Sequence, residues 1–173
     1  MARIQRSTAK GPDVWVLPMT AGSAPERKAV PYLRSPSGED YARFSPDVRF
    51  VAYTSDESGS WELYLRPFDP ADPEASGSGG GKVRISQGGI EGAPRWEPDG
   101  KGLTYFAPDS KRWMVDLTTS PTLRVSAPRL LGQFPRSNVA STPDNQRVLV
   151  DLPATNKQPS AAVVLHWQAA LKR

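Results

Sequence analysis

Three times along this chain a strand-like stretch runs into a Pro-Asp pair and leaves it through a turn, and a period of that kind confines the fold to a repeat architecture. The copies are Tyr41-Ala42-Arg43-Phe44-Ser45-Pro46-Asp47, Ala93-Pro94-Arg95-Trp96-Glu97-Pro98-Asp99-Gly100 and Val139-Ala140-Ser141-Thr142-Pro143-Asp144-Asn145. A second strand follows each turn, RFVAYT at 49–54, KGLTYF at 101–106 and QRVLVD at 146–151. Third strands are expected at 61–65 and 112–116, and fourth strands at 82–86 and 129–134. Asp47 and Asp99 lie 52 residues apart and Asp99 and Asp144 lie 45 apart. Those intervals suit a four-stranded blade of about 40 to 50 residues.

The turn has a mechanical reading. Proline presets φ, aspartate can accept hydrogen bonds from amides ahead of it, and glycine tolerates φ > 0. Pro46, Asp47, Pro98, Asp99, Gly100, Pro143 and Asp144 are therefore read as structural turn residues, with no catalytic or metal-binding role. Val48 stands where the other copies have Gly100 and Asn145. A β-branched residue disfavours positive φ, so the first turn is expected to be of another type or somewhat strained. The chain also holds 18 Pro and 14 Gly in 173 residues, more punctuation than a helical protein absorbs. The expected class is all-β, a partial β-propeller with about three blades' worth of four-stranded antiparallel sheets. Residues 1–11 are expected to be disordered and 12–173 to form the propeller segment, with a flexible Gly/Ser-rich insertion at 70–81.

Composition closes several classes of chemistry. The absence of cysteine removes disulfides, thiolate nucleophiles and cysteine-ligated metals. The longest apolar run, Ala161 to Leu165, is far below the roughly 20 residues of a membrane span, and no apolar stretch follows the basic N-terminus to make a secretory signal. No membrane insertion is expected, and by default the chain stays in the cytoplasm. Net charge is +4, but Lys and Arg are scattered singly and form no stripe, which argues against a nucleic-acid partner.

The phrases Phe44-Ser45-Pro46-Asp47 and Trp96-Glu97-Pro98-Asp99-Gly100-Lys101 resemble the TolB-like, WD40-like (PD40) repeat, in which an aromatic residue and serine precede Pro-Asp-Gly and a basic residue. Asp13 to Pro18, Ala52 to Phe68 and Val163 to Trp167 are similar to the propeller that follows the catalytic domain in some bacterial serine/threonine protein kinases. The resemblance covers about residues 12–173 and departs from the pattern at Val48 and Glu97. It also implies that Asp13 to Leu17 and Ala29 to Leu33 are the outer strands of a first blade whose inner two are missing. Such an open arc leaves unpaired edges, so the chain is expected either to be a piece of a longer propeller or to complete itself by self-association.

No enzyme motif survives inspection. A kinase needs a Gly-rich loop, His-Arg-Asp and Asp-Phe-Gly, and none is present. Gly77 to Lys82 resembles a phosphate loop, but Ser76 and Val83 occupy two of its defining positions. His166, the only histidine, has no nucleophile elbow to serve and reads as a packed side chain. Trp15, Trp61, Trp96 and Trp113 read as core. The candidates for a protein or small-ligand contact are Arg43 and Arg95, each just before the aromatic residue of an inner strand, with no cofactor implied. The expected function is a non-catalytic binding or scaffold module. Its alternatives are a detached sensor domain of a kinase, which the resemblance implies lies outside the membrane, and the gating propeller of a prolyl-oligopeptidase-like peptidase. The closing residues 169–173 look like a natural terminus, favouring the kinase relation.

Overall fold

Short strands alternate with turns throughout the computed structural model, which describes residues 3–5, 11–19, 28–119, 122–134, 139–142 and 147–150. Four antiparallel groups of strands result. The first is β1 (Arg3–Gln5), β2 (Asp13–Val16) and β3 (Val30–Leu33), paired in that order. The second is a full blade of β4 (Glu39–Phe44), β5 (Phe50–Ser55), β6 (Glu62–Pro67) and β7 (Val83–Arg84). A six-residue helix, α1 (Pro73–Ser78), interrupts the path from β6 to β7. The third group is β8 (Glu91–Trp96), β9 (Gly102–Phe106) and β10 (Lys111–Thr118), with β11 (Arg124–Val125) and β12 (Arg129–Gln133) both pairing with β10. The last is the hairpin β13 (Val139–Ser141) and β14 (Val148–Val150). Among the described residues this is a partial β-propeller, with two whole blades between two smaller groups of strands.

Successive side chains of a strand point to opposite faces, and β5 uses both faces for core. Val51 and Tyr53 join Val14, Tyr32, Leu33, Tyr64 and Phe68 in the seam toward the first sheet. Phe50 and Ala52 join Leu63, Leu65, Ile85, Leu103, Tyr105 and Val115 in the seam toward the third. Every residue of β5 is buried, which explains why 49–54 reads as a nearly continuous apolar run.

Three expectations require correction. Residues 3–5 of the segment expected to be disordered form β1, whose backbone pairs with β2 from Arg3↔Trp15 to Gln5↔Asp13. The open ladder edge of β2 supplies the reason, since it offers partners for that backbone. The first blade accordingly has one of the two inner strands expected to be missing. The insertion at 70–81, expected to be flexible, holds α1. Asp72 caps it by accepting from the Ala75 amide at 3.0 Å, and Pro73 occupies its first turn. Trp61 is 39% exposed and precedes β6, so it is not core. The fourth strand expected at 129–134 is present as β12, and the short β11, which the residues did not announce, pairs along the same edge of β10.

The strands expected at 13–17, 29–33, 49–54, 61–65, 82–86, 101–106, 112–116 and 146–151 all appear, with ends displaced by a few residues. The third turn, with Pro143, Asp144 and Asn145, lies outside the described residues, as do His166 and Trp167.

Candidate functional site

The innermost strands β4 and β8 pack beside each other on the side where a closed propeller has its channel. Each carries a bulge at the same place. In β4, Asp40 pairs with Thr54 and Arg43 with Ala52, so Tyr41 and Ala42 together oppose Tyr53. In β8, Glu91 pairs with Phe106 and Arg95 with Thr104, leaving three residues opposite Tyr105. Extra residues of this kind re-aim the side chains that follow. Gly92 takes φ +73° in its bulge, while Tyr41 takes +51° with a full side chain, a conformation that a non-glycine residue adopts at a cost.

Arg43 and Arg95 occupy equivalent register positions just beyond these bulges. Both are exposed, and among the described residues neither forms an ion pair. Arg43 turns its guanidinium to the carbonyl of Ala42 at 2.9 Å, and its own carbonyl accepts the Trp96 indole N–H at 3.1 Å. Trp96 thus ties the two innermost strands together. Arg95 lies close enough to the buried Arg112 to disfavour its charge. Burial first and Arg95 second hold the Arg112 guanidinium below its ordinary range, with Glu97 opposing. Arg112 also donates to Thr104 Oγ1 at 3.1 Å.

A small concavity lies beside these strands, and a larger one lies farther out on the third sheet. A cleft of about 150 Å3 opens between the bulges, lined by Asp40, Tyr41, Thr54, Trp61, Ile90 and Gly92. Tyr41 and Trp61 are among the most exposed large apolar side chains, and neither was singled out for a site by sequence. Their signal was available only in part, as an aromatic beside a bulge that the residues do not announce. A larger groove of about 580 Å3 runs past Ile85, Tyr105, Pro108, Trp113 and Pro128.

The turn residues do what their chemistry dictates. Asp47 accepts from the Arg49 amide at 3.2 Å and Asp99 from the Lys101 amide at 2.9 Å. The Ser45 hydroxyl, followed by Arg49, holds the Asp47 carboxyl down to about 2. Pro108-Asp109-Ser110-Lys111 repeats the device, with Asp109 accepting from the Lys111 amide at 3.2 Å. The loop that carries the chain from β7 into β8 is fastened by Glu62, which is 1% exposed. Its carboxylate accepts from Ser86 Oγ, from the Gly88 and Gly89 amides at 3.0 and 3.1 Å, and from Arg84 at 2.9 Å. Burial alone would raise this carboxyl, but those four donors outweigh it and keep it below the usual range. Among the described residues no group of three or more metal-ligating side chains converges, and no helix is long and apolar enough to cross a membrane.

Among solved structures, a crystal structure of TolB from Acinetobacter baumannii superposes with a TM-score of 0.58 at 21% identity, covering 85% of this chain and 34% of that one. The fold is that of a TolB-like β-propeller. The chain spans about a third of the length of that TolB, and identity at this level speaks to fold alone. A Bacteroides uniformis protein provisionally named a 6-phosphogluconolactonase aligns over 83% of this chain and 41% of its own, at 19% identity and a TM-score of 0.48. No protein-family model matches the chain, and no curated protein does. In propeller terms, Arg43 and Arg95 stand on adjacent innermost strands, while the turn aspartates are dispersed, one to each hairpin.

Proposed function

We propose that the chain is a non-catalytic recognition module of a β-propeller, holding an acidic protein segment against Arg43 and Arg95. The observation that carries this reading is the pair itself: two exposed guanidinium groups at equivalent positions of neighbouring innermost strands, with no ion pair among the described residues. Arginine presents a planar fork matched to carboxylates, and an unneutralised pair on one surface favours an anionic partner. Binding of a fluorescein-labelled oligoglutamate peptide, followed by anisotropy at low salt, tests it. The double variant Arg43→Ala/Arg95→Ala should weaken binding by about tenfold or more, and Arg34→Ala/Arg124→Ala, which removes two exposed arginines elsewhere, should not. Equal losses from both double variants would reduce the interaction to net charge.

The similarity of Asp13 to Pro18 and Ala52 to Phe68 to kinase-attached propellers supports a longer parent protein, with this module as its sensing end. A reading frame continuous with this one that encodes kinase motifs would bear that out, and one without them would remove it.

A further inference from the structure

Glu39 opens β4 at the seam between the first sheet and the second. Its amide donates to the Pro12 carbonyl at 2.6 Å, and the residue is 3% exposed. The Ser35 hydroxyl reaches Oε1, whereas Oε2 is buried with no hydrogen-bond partner. The backbones of Gly11 and Gly38 close the seam beside it, so near that a Cβ on Gly11 would lie 2.4 Å from the Gly38 Cα.

The charged groups around Glu39 are of the wrong sign to hold it as an anion. Asp13 faces it from β2, and Asp56 and Glu57 face it from the turn between β5 and β6. Tyr53 on β5 feels it as well. Lys82, the cation that reaches this turn, already spans both carboxylate oxygens of Glu57 at 2.6 and 2.7 Å, and Asp56 is engaged by the Gly38 amide at 2.8 Å. With no metal-ligating group converging there among the described residues, a proton is the counter-charge at hand. Burying an unpaired carboxylate costs far more than burying the neutral acid.

We propose that Glu39 is a proton-operated latch on the seam between the β1–β3 sheet and the β4–β7 blade, closed when the carboxyl is protonated and loosened when it ionises. In the closed state the carboxyl is neutral, with the Ser35 hydroxyl donating to Oε1 and no charge left on the buried Oε2. On ionisation the proton passes to solvent, and an anion with one unpartnered oxygen confronts Asp13 and Asp56. Burial above all, reinforced by Asp13, Glu57 and Asp56 against the Ser35 contact, raises the carboxyl to about 7, which puts the transition near neutrality.

Urea unfolding of the full chain and of Glu39→Gln, between about pH 5 and about pH 8, tests the latch. Glutamine keeps the shape and cannot ionise, so the unfolding constant of the unsubstituted chain should rise relative to the variant by about tenfold or more across that range. A constant ratio would overturn the proposal, because a merely structural role shifts all pH values alike. Should the variant fold poorly, amide exchange on the unsubstituted chain, corrected for intrinsic rates, gives the second readout. Val14 and Leu33 should lose protection as pH rises while Leu103 and Val115 keep theirs, and uniform behaviour of the four would also overturn it.

Discussion

Val48 holds φ +59° where Gly100 holds +71°, and both turns close through the same bond, Val48 N to Ser45 O and Gly100 N to Glu97 O, each at 2.9 Å. Of the two expectations for this turn, strain is the one realised and a change of type is not, because the flanking strands impose the register. An L-residue in this region costs about 1–2 kcal/mol, partly offset in a glycine variant by about 0.4–1 kcal/mol of extra unfolded-state entropy. Val48→Gly should therefore stabilise the chain by roughly 1 kcal/mol, seen as a higher urea midpoint at unchanged slope. Asp99→Ala, which strips the Lys101 amide of its acceptor, should cost about 1 kcal/mol in the same assay. Pro-Asp turns were legible because their geometry is local and each residue's role is intrinsic. Tyr41 was not, since its positive φ follows from a register shift between β4 and β5 that depends on what packs behind them.

At the scale of elements, α1 shows how composition can mislead. Glycine and serine at 76–81 suggest a linker, yet Gly77 is buried, and a Cβ there would lie 1.6 Å from the Tyr32 carbonyl oxygen. Its glycine serves close approach more than freedom. The buried Arg66 on β6 completes the docking by donating to the carbonyls of Gly77 and Gly79 at the end of the helix. So short a helix cannot stand on propensity, so the start signal of Asp72 and Pro73 alone does not foretell it. Gly77→Ala should cost about 2 kcal/mol or more and render 70–81 a preferred cleavage site in limited proteolysis. Glu62 plays the same part between blades, and Glu62→Ala, which leaves buried donors unpartnered, should cost about 2–4 kcal/mol. Because its folded-state pKa is depressed, the stability it contributes is present above the unfolded-state value and is lost as pH falls through the folded one.

Across the whole molecule, the two seams respond to pH with opposite sign. Ionised Glu62 stabilises the joint between the full blades, while protonated Glu39 stabilises the joint to the first sheet. A stability profile with losses on both flanks should result, and Glu39→Gln should flatten only the alkaline one. The propeller was readable because its period survives in three copies, and Arg43 and Arg95 fell at matching positions because the repeat carries register with it. The cleft between the bulges and the buried carboxylates were not readable, since they arise where blades meet and join residues far apart in sequence. One edge bears on the expectation that exposed strands would draw copies together. The outer margin of the third blade is broken at Ser126-Ala127-Pro128, where Ser126 turns inward to exchange hydrogen bonds with Asp116 at 2.9 and 3.0 Å and the proline offers no N–H. A foreign strand sliding alongside would find its row of partners interrupted at the middle, so this margin resists templated growth of the kind that seeds fibres.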